Sequence, residues 1–469
     1  MKMKQILAYL LLATGCFVNA QVTDSVTLKF NEYLGYVKKF HPIAKQGELV
    51  MATGQANLMK ARGGFDPKVE VDYERKEFKG SEYWDRLNAT FKVPTWYGIM
   101  LKGNLEQNEG SFLNTSETVP EDGLYSAGVQ FSLGQGSWIN ERMATLKRAK
   151  FFREQSKADR DLVINQVLFD ASLAYFNWLQ AYKDSKVFID FLKNAQVRFV
   201  GIKKSAAAGD KASIDTVEAK IAIQNRALEL EQAKVKLQNT SLALSNFLWL
   251  GENIPTELQA NVFPETSVGI EIDKTLEISG KPLDSFSLEN HPKLLSLRYK
   301  IRGLRVDKRL KTNKLLPKID IEYNFLTETP ERINSLVSEQ YKGGITFQMP
   351  LFLRKERGDL RLAKIKLKDA AFEMDNAQVE IRNKVYAIYN ELDSFEIQNA
   401  LISDIVGSYQ TMLSAEERKF SFGESSLFLI NSRESKLIDA VLKLNLVQNK
   451  FFAAKAKLFQ SLAVNPQSL

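Results

Sequence analysis

Polar and apolar residues alternate with period two in four short stretches. The first is "KVEVDY", where Val69, Val71 and Tyr73 oppose Glu70 and Asp72. The second is "YSAGVQFSL", where Tyr125, Val129, Phe131 and Leu133 oppose Ser126, Gln130 and Ser132. "KIDIEY" sets Ile319, Ile321 and Tyr323 against Asp320 and Glu322, and "YKGGITFQM" sets Tyr341, Ile345, Phe347 and Met349 against Lys342, Thr346 and Gln348. Each predicts a strand with one greasy and one polar face, which suits either a soluble sandwich or a membrane barrel with a wet lumen. A further alternating pair lies between the first two stretches. Leu87, Ala89, Phe91 and Val93 precede "PTWYG", and Ile99, Leu101 and Leu105 follow it. This pair predicts either an added barrel hairpin, with Trp96 and Tyr97 at an interface, or an extramembrane flap.

After each strand group the period changes. Residues from about 140 to 204 and from about 355 to 419 lack proline and carry helical spacing. At 1.5 Å per residue, about 65 residues reach roughly 100 Å. Return helices are predicted from about 214 to 249 and from about 427 to 462. In the first return helix Ile221, Leu228, Val235 and Leu242 recur every seven residues, and so do Ile223, Leu230, Leu237 and Leu244. Positions two apart lie about 200° apart on a helix, so the two stripes occupy opposite flanks. A two-stranded coiled coil needs one seam. Two seams with charged residues between them predict neighbours on both sides, as in a closed ring of helices. Each long hairpin turns at a glycine-bearing break, "AAAGDKASIDTVEA" around Gly209 and "RKFSFGESSLFLI" around Gly423. Glycine is expected there in the left-handed helix-ending conformation, with Ser213 or Ser426 near the next helix start.

The two halves are copies. The chain's two histidines, His41 and His291, each precede a proline, and they stand 250 positions apart (291 − 41). The same offset carries "FDPKVEVDY" onto "LLPKIDIEY". The second and fourth strands correspond at an offset of 216 (341 − 125), which puts an insertion of 34 residues (250 − 216) in the first half. Agreement of this kind marks a tandem duplication. It also supplies an ordinary role for the histidines. Pro42 and Pro292 suit a first helical turn, and the residue before each is pushed to an extended conformation.

Composition narrows the function. The net charge of +8 is spread without a basic block or aromatic-interleaved basic stripe, which gives nucleic-acid binding little support. Cys16 is the only cysteine, so no disulfide framework or thiolate metal site can form within one chain. Residues 1–20 read as a signal peptide, with Lys2 and Lys4, an apolar run from Ile6 to Leu12, and "VNA" before Gln21. A lipoprotein signal with Cys16 acylated is the rival reading. Both mean export. No later stretch has the ~18 apolar residues of a spanning helix, so insertion in a membrane would use strands. No nucleophile–base cluster, phosphate loop or metal-ligand spacing is visible. The reading is therefore of a non-enzyme with no catalytic, cofactor or metal site.

Signal, strand pair and long helical hairpin, then all of it again: the sequence resembles the TolC family of outer-membrane efflux proteins over nearly the whole mature chain. The marks are the duplicated "HP…PK" openings and the two tips. "RKFSFGESS" is similar to the family's second tip, an Arg-aromatic-x-x-Gly run, and "GDKASIDTVEA" to its first. The resemblance implies a mainly α protein with membrane β-strands, the protomer of a homotrimeric channel. Its strands would share one β-barrel in outer-membrane lipid, and its helices one periplasmic α-helical cylinder. The first repeat would run over 21–252 (strands about 68–133, helices about 140–249), a linker over 253–282, and the second repeat over 283–469 (strands about 318–350, helices about 355–462). It further implies a passive exit duct for a tripartite efflux or type I secretion system. The tips, with Gly209, Ser213, Phe420, Phe422, Gly423 and Ser426, would dock a periplasmic adaptor and, through it, an inner-membrane pump. The family often narrows its gate with acidic residues six and nine places past the second-tip glycine. Here those places hold Leu429 and Ser432, while Asp215 and Glu218 stand at the same offsets from Gly209. Those four are the gate candidates, and a second-tip carboxylate ring is not expected. The competing expectation is an exported coiled-coil scaffold or adhesin whose strands form a soluble sandwich.

Overall fold

The computed structural model describes residues 26–279, 288–332 and 336–466. The predicted signal segment and Cys16 lie outside them. In the first half β1 (Val26–Leu28), α1 (Phe30–Phe40) and α2 (Pro42–Arg62) precede four long strands. These are β2 (Lys68–Phe78), β3 (Ser81–Pro94), β4 (Ile99–Glu109) and β5 (Leu124–Gly134). The hairpin α3 (Glu141–Ala207) and α4 (Ser213–Ser245) follows. The stretch 253–282, expected as a linker, carries β6 (Val262–Pro264) and α5 (Val268–Thr275). The second half repeats the plan as α6 (Pro292–Asn313), β7 (Lys318–Thr327), β8 (Tyr341–Gln348), α7 (Arg354–Ser421) and α8 (Leu427–Leu462).

The long strands form one antiparallel sheet in the order β2-β3-β4-β5-β7-β8. The inserted pair is therefore part of the sheet, not a flap. Lys79 and Gly80, both at positive φ, turn β2 into β3 in two residues, and this matches the twist of a tight hairpin. The register keeps one apolar face across all the strands. Val69 lies beside Phe91, and Phe91 beside Gly103. Leu101 pairs with Val129, Val129 with Tyr323, and Tyr323 with Gly343. The other face is polar and internally paired. Lys102 Nζ donates to Glu322 Oε2 at 2.8 Å, Lys342 Nζ to Glu106 Oε1 at 3.4 Å, and Ser132 Oγ to Asp320 Oδ1 at 2.6 Å. Lys92 likewise bonds Glu70. The sheet is open in the single chain, with β2 and β8 as its edges, and both edge strands are exposed along their whole length.

The helices form a single layer four wide. Near the sheet its order is α2-α3-α6-α7, and farther away it is α4-α3-α8-α7. The long α3 and α7 run through both levels, and a short helix stacks above each return helix. The largest core lies where the levels meet. Trp178, Tyr175, Phe176 and Leu168 of α3 are buried against Tyr33 and Leu34 of α1, Ile272 of α5 and Phe459 of α8. Tyr175 Oη donates to Leu28 O at 2.7 Å and accepts from Glu265 N at 3.1 Å, which pins the small β1–β6 pair to α3. The sequence pattern missed β1, β6 and α5 because elements this short show little period, and it passed over α1, whose Phe30, Tyr33, Leu34 and Val37 do carry helical spacing.

Both histidines sit at this junction, at equivalent places in the repeats. His41 caps α2 by accepting from Ile43 N at 3.2 Å, and its ring stacks on Phe247 just beyond α4. His291 caps α6 by accepting from Lys293 N at 3.2 Å, and its Nε2–H donates to Ser461 O at 3.2 Å. The cap requires an unprotonated Nδ1. Burial lowers the pKa of both below the usual 6.5, against a smaller upward pull from a backbone hydrogen bond. A histidine held neutral in the fold contributes stability above its unfolded pKa. That contribution is lost as pH falls through the lower folded value. Thermal unfolding in detergent should therefore show a lower midpoint at pH 5 than at pH 8. A double His41→Asn/His291→Asn variant, which keeps a cap acceptor, should reduce that difference. His291→Ala should cost about 1 kcal/mol at pH 8 through loss of the cap. An unchanged pH profile in the Asn variant would rule out this role.

Candidate functional site at the helical tips

The two hairpin tips lie side by side at the end of the helical layer farthest from the sheet. Gly209 has φ +85° and Gly423 φ +79°, and a Cβ added at either would meet nothing within 4 Å. The requirement for glycine is thus conformational, not steric. Both glycines close their helix in the usual way: Gly209 N donates to Ala206 O and Gly423 N to Phe420 O, each at 3.1 Å. Ser426 is the N-cap of α8, accepting from Leu429 N at 3.4 Å. Ser213 is the first residue of α4, and Ala212 takes the cap position without a side-chain acceptor.

The two tip phenylalanines have different surroundings. Phe420 is half-buried, packing on Ile202, Ala219 and Leu427, and Lys211 Nζ stands 4.4 Å from its ring centre. Phe422 is 75% exposed. Phe428, which sequence reasoning passed over, is also exposed, in the first turn of α8. Its apolar neighbours in sequence, Leu427 and Leu429, hid it among helix-packing residues.

The gate candidates fall on the adjoining first two turns of α4 and α8. Glu218 Oε1 accepts from Asn431 Nδ2 at 3.1 Å, tying α4 to α8 next to half-buried Ser432. Asp215 is half-buried and Leu429 is exposed.

Just behind the tips is a feature the sequence reading did not single out. Glu434 of α8 has only 2% of its side chain exposed. It accepts from Arg198 Nη2 of α3 at 2.7 Å and from Arg226 Nε of α4 at 3.4 Å. Arg198 also reaches Glu417 of α7 at 3.4 Å, and Arg226 reaches Glu229 at 2.8 Å. Glu434 thus joins three helices, and Arg198 extends the cluster to the fourth through Glu417. A signal existed: Glu434 continues the buried stripe of Leu427, Ile430 and Leu437, where a charge is out of place. Its partners lie more than 200 positions away in sequence.

A long helical layer capped by an amphipathic sheet, with two hairpin tips at the far end, is the fold of bacterial outer-membrane channels. Residues 285–464 match the family model "Outer membrane efflux protein". The match lies in the second half, and the chain as a whole shares the fold of solved outer membrane channels. The structure is similar to that of the Campylobacter jejuni CmeC outer membrane channel (13% identity, TM-score 0.63, covering 92% of this chain and 85% of that one). It is also similar to the open state of the Neisseria gonorrhoeae MtrE outer membrane channel (12%, 0.64, 92% and 88%). The outer membrane protein VceC of Vibrio cholerae resembles it to the same degree (12%, 0.62, 92% and 96%). No curated protein sequence matches the chain.

Removing Glu434 would leave Arg198 and Arg226 only their more exposed partners, Glu417 and Glu229. Glu434→Ala should destabilise the tip region by about 1–3 kcal/mol, the cost of taking one partner from a buried polar group. Hydrogen exchange around Arg198, Arg226 and Glu434 should quicken, while the sheet and the Trp178 core stay protected. Unchanged protection there would show that the cluster carries no local stability.

Proposed function

We propose that this protein is the outer-membrane exit duct of a tripartite efflux or type I secretion system. It performs no covalent chemistry and acts as a passive homotrimeric channel. The observation that carries this reading is the sheet: one continuous apolar face, one paired polar face and two unpaired edges. In hydrocarbon an open edge is not viable, so partner subunits close the barrel, with the apolar face toward lipid and the polar face toward the lumen. The helical layer supports the same closure. Ile221, Leu228, Val235 and Leu242 are exposed on α4 at one border of the tip-side level, and Ile397, Leu401, Ile405 and Met412 on α7, beside α8, at the other. These are apolar stripes on the two border helices of one chain. Head-to-tail contact between them generates a ring, and this answers the two-seam pattern in the sequence. The tips would face the periplasm and dock the adaptor, with exposed Phe422 and Phe428 as the apolar contacts and Asp215, Glu218, Leu429 and Ser432 around the narrowed end.

Arginine substitution tests the membrane assignment. Arg at Val71 or Ile321, on the apolar face, should cost about 2–4 kcal/mol at mid-membrane depth. Arg at Gln130 or Thr346, on the polar face, should leave assembly near wild type. The readouts are the trimer fraction in mild detergent and the heat-modifiable gel shift of outer-membrane fractions. Equal damage on both faces, or a stable monomer, would favour the soluble scaffold instead.

Docking predicts a different phenotype. Phe422→Asp or Gly423→Trp should abolish export, measured as dye accumulation or lost secretion in cells that depend on this duct, with trimer and insertion intact. Phe420→Asp should instead loosen the tip, because that ring is packed. Normal export by a Phe422→Asp/Gly423→Trp trimer would place the adaptor contact elsewhere.

A further inference from the structure

The duplicated plan contains four strands, since β2 corresponds to β7 and β5 to β8, yet the sheet has six. The geometry points to an outer-membrane portal of 18 strands, as wide as the helical cylinder beneath it, so that the outer-membrane end does not limit cargo size. This inference rests on the trimeric reading above.

Four observations support the inserted hairpin as wall, not appendage. The ladder is continuous apart from one register shift at Lys76/Glu77, with β3 and β4 paired between β2 and β5. The apolar positions of the insert lie level with those of the other strands: Ala89 is flanked by Val71 and Leu105, and Leu105 by Tyr125. At 14 and 11 residues, β3 and β4 are also long enough for a tilted transmembrane strand, which needs about 9–11. Finally, the β3–β4 turn is seated in the sheet–helix junction. Trp96 stacks on Phe65 at 5.5 Å, and its carbonyl accepts from Asn140 Nδ2 at 3.1 Å. A flap would not be fastened to the helix cap that begins α3.

The widths then agree. Strands about 4.8 Å apart and tilted about 40° each take roughly 6 Å of circumference, so six span about 37 Å. Four helices packed about 9–10 Å apart span about 38 Å. Three such arcs close circles about 36 Å across at the backbone, leaving a portal roughly 26 Å wide inside the side chains. Four strands per chain would give a backbone circle of only about 24 Å, and the wall would have to draw in by a third to reach it. The insert therefore removes a taper. The wide lumen stays filled with water because its charges are paired in place, as in Lys102–Glu322 and Lys342–Glu106.

Paired cysteines test the wall directly. In the six-stranded sheet Val129 lies opposite Leu101, and Gln130 opposite Met100. If the insert were expelled and β2 met β5 as β7 meets β8, Val129 would lie opposite Val71 and Gln130 opposite Glu70, by analogy with Ile321–Ile345 and Asp320–Thr346. Double variants Leu101→Cys/Val129→Cys and Met100→Cys/Gln130→Cys are expected to form a disulfide in outer-membrane trimers, in at least one of the two pairs. Val71→Cys/Val129→Cys and Glu70→Cys/Gln130→Cys are expected to form none, and a bond in either would overturn the proposal. Width is read separately in planar bilayers holding the full-length trimer. Neutral polymers of about 10 Å hydrodynamic radius, added on the extracellular side, should enter and lower the conductance. Exclusion of polymers larger than about 7 Å from that side would also overturn it. A protein that sediments as a monomer would instead defeat the trimeric reading, while leaving the intrachain cysteine result unchanged.

Discussion

An unpaired strand edge cannot face lipid, and the architecture of this chain follows from that constraint. Each buried backbone N–H or C=O left without a partner costs several kcal/mol in hydrocarbon. The sheet ends on two strands, β2 and β8, that have no outer neighbour and no covering element. Under the proposed function, a chain built this way is finished by other copies of itself. The helical layer repeats the constraint in a different currency, since its two borders are apolar stripes rather than open hydrogen bonds. Sheet and helices thus ask for the same partners on the same two sides. A layer whose lateral neighbours are supplied in trans has little need of a second layer, and it is one helix thick except at the junction.

The two ends of the long helices are held by different physics. At the junction, α1, α5 and the β1–β6 pair lay a second layer over α3, and burial of Trp178, Tyr175 and Phe176 makes this the dense core of the molecule. Near the tips there is no such layer. There Glu434 and its arginines join four helices by directed charge–charge contacts, which fix geometry more than they add stability. Small apolar clusters around Phe420, Ile430 and Leu437 pack beside these charges, but no second layer covers them as at the junction. The end that the proposed function requires to dock and to open is therefore the thinner end, where polar contacts share the work with small clusters.

Sequence identity of 12–13% to channels of the same fold is consistent with this balance. Alternation along strands and seven-residue stripes along helices constrain only whether a position is apolar, not which residue fills it. The family model matches 285–464, the repeat whose strand pair is uninterrupted. The first repeat carries the same strands and helices, but with a hairpin placed between them.

Much of the fold was legible in the chain itself. Period-two alternation marked the strands, proline-free helical spacing marked α3 and α7 to within a few residues, and Gly209 and Gly423 marked the turns. The paired His-Pro dipeptides gave away the duplication and, with it, the place of both histidines at helix starts, while their ring caps appear only in the structure. These features are local, set by backbone geometry and by the face a residue presents, so a single chain displays them. Tertiary structure decided the rest. It placed the inserted hairpin in the sheet, between β2 and β5, because alternation shows which face a strand presents but not which strands it pairs with. It separated packed Phe420 from exposed Phe422, two residues apart, because burial depends on which neighbouring helix is present. It brought Arg198 and Arg226 to Glu434; the two arginines read as ordinary surface charge until three helices converge and exclude water from between them.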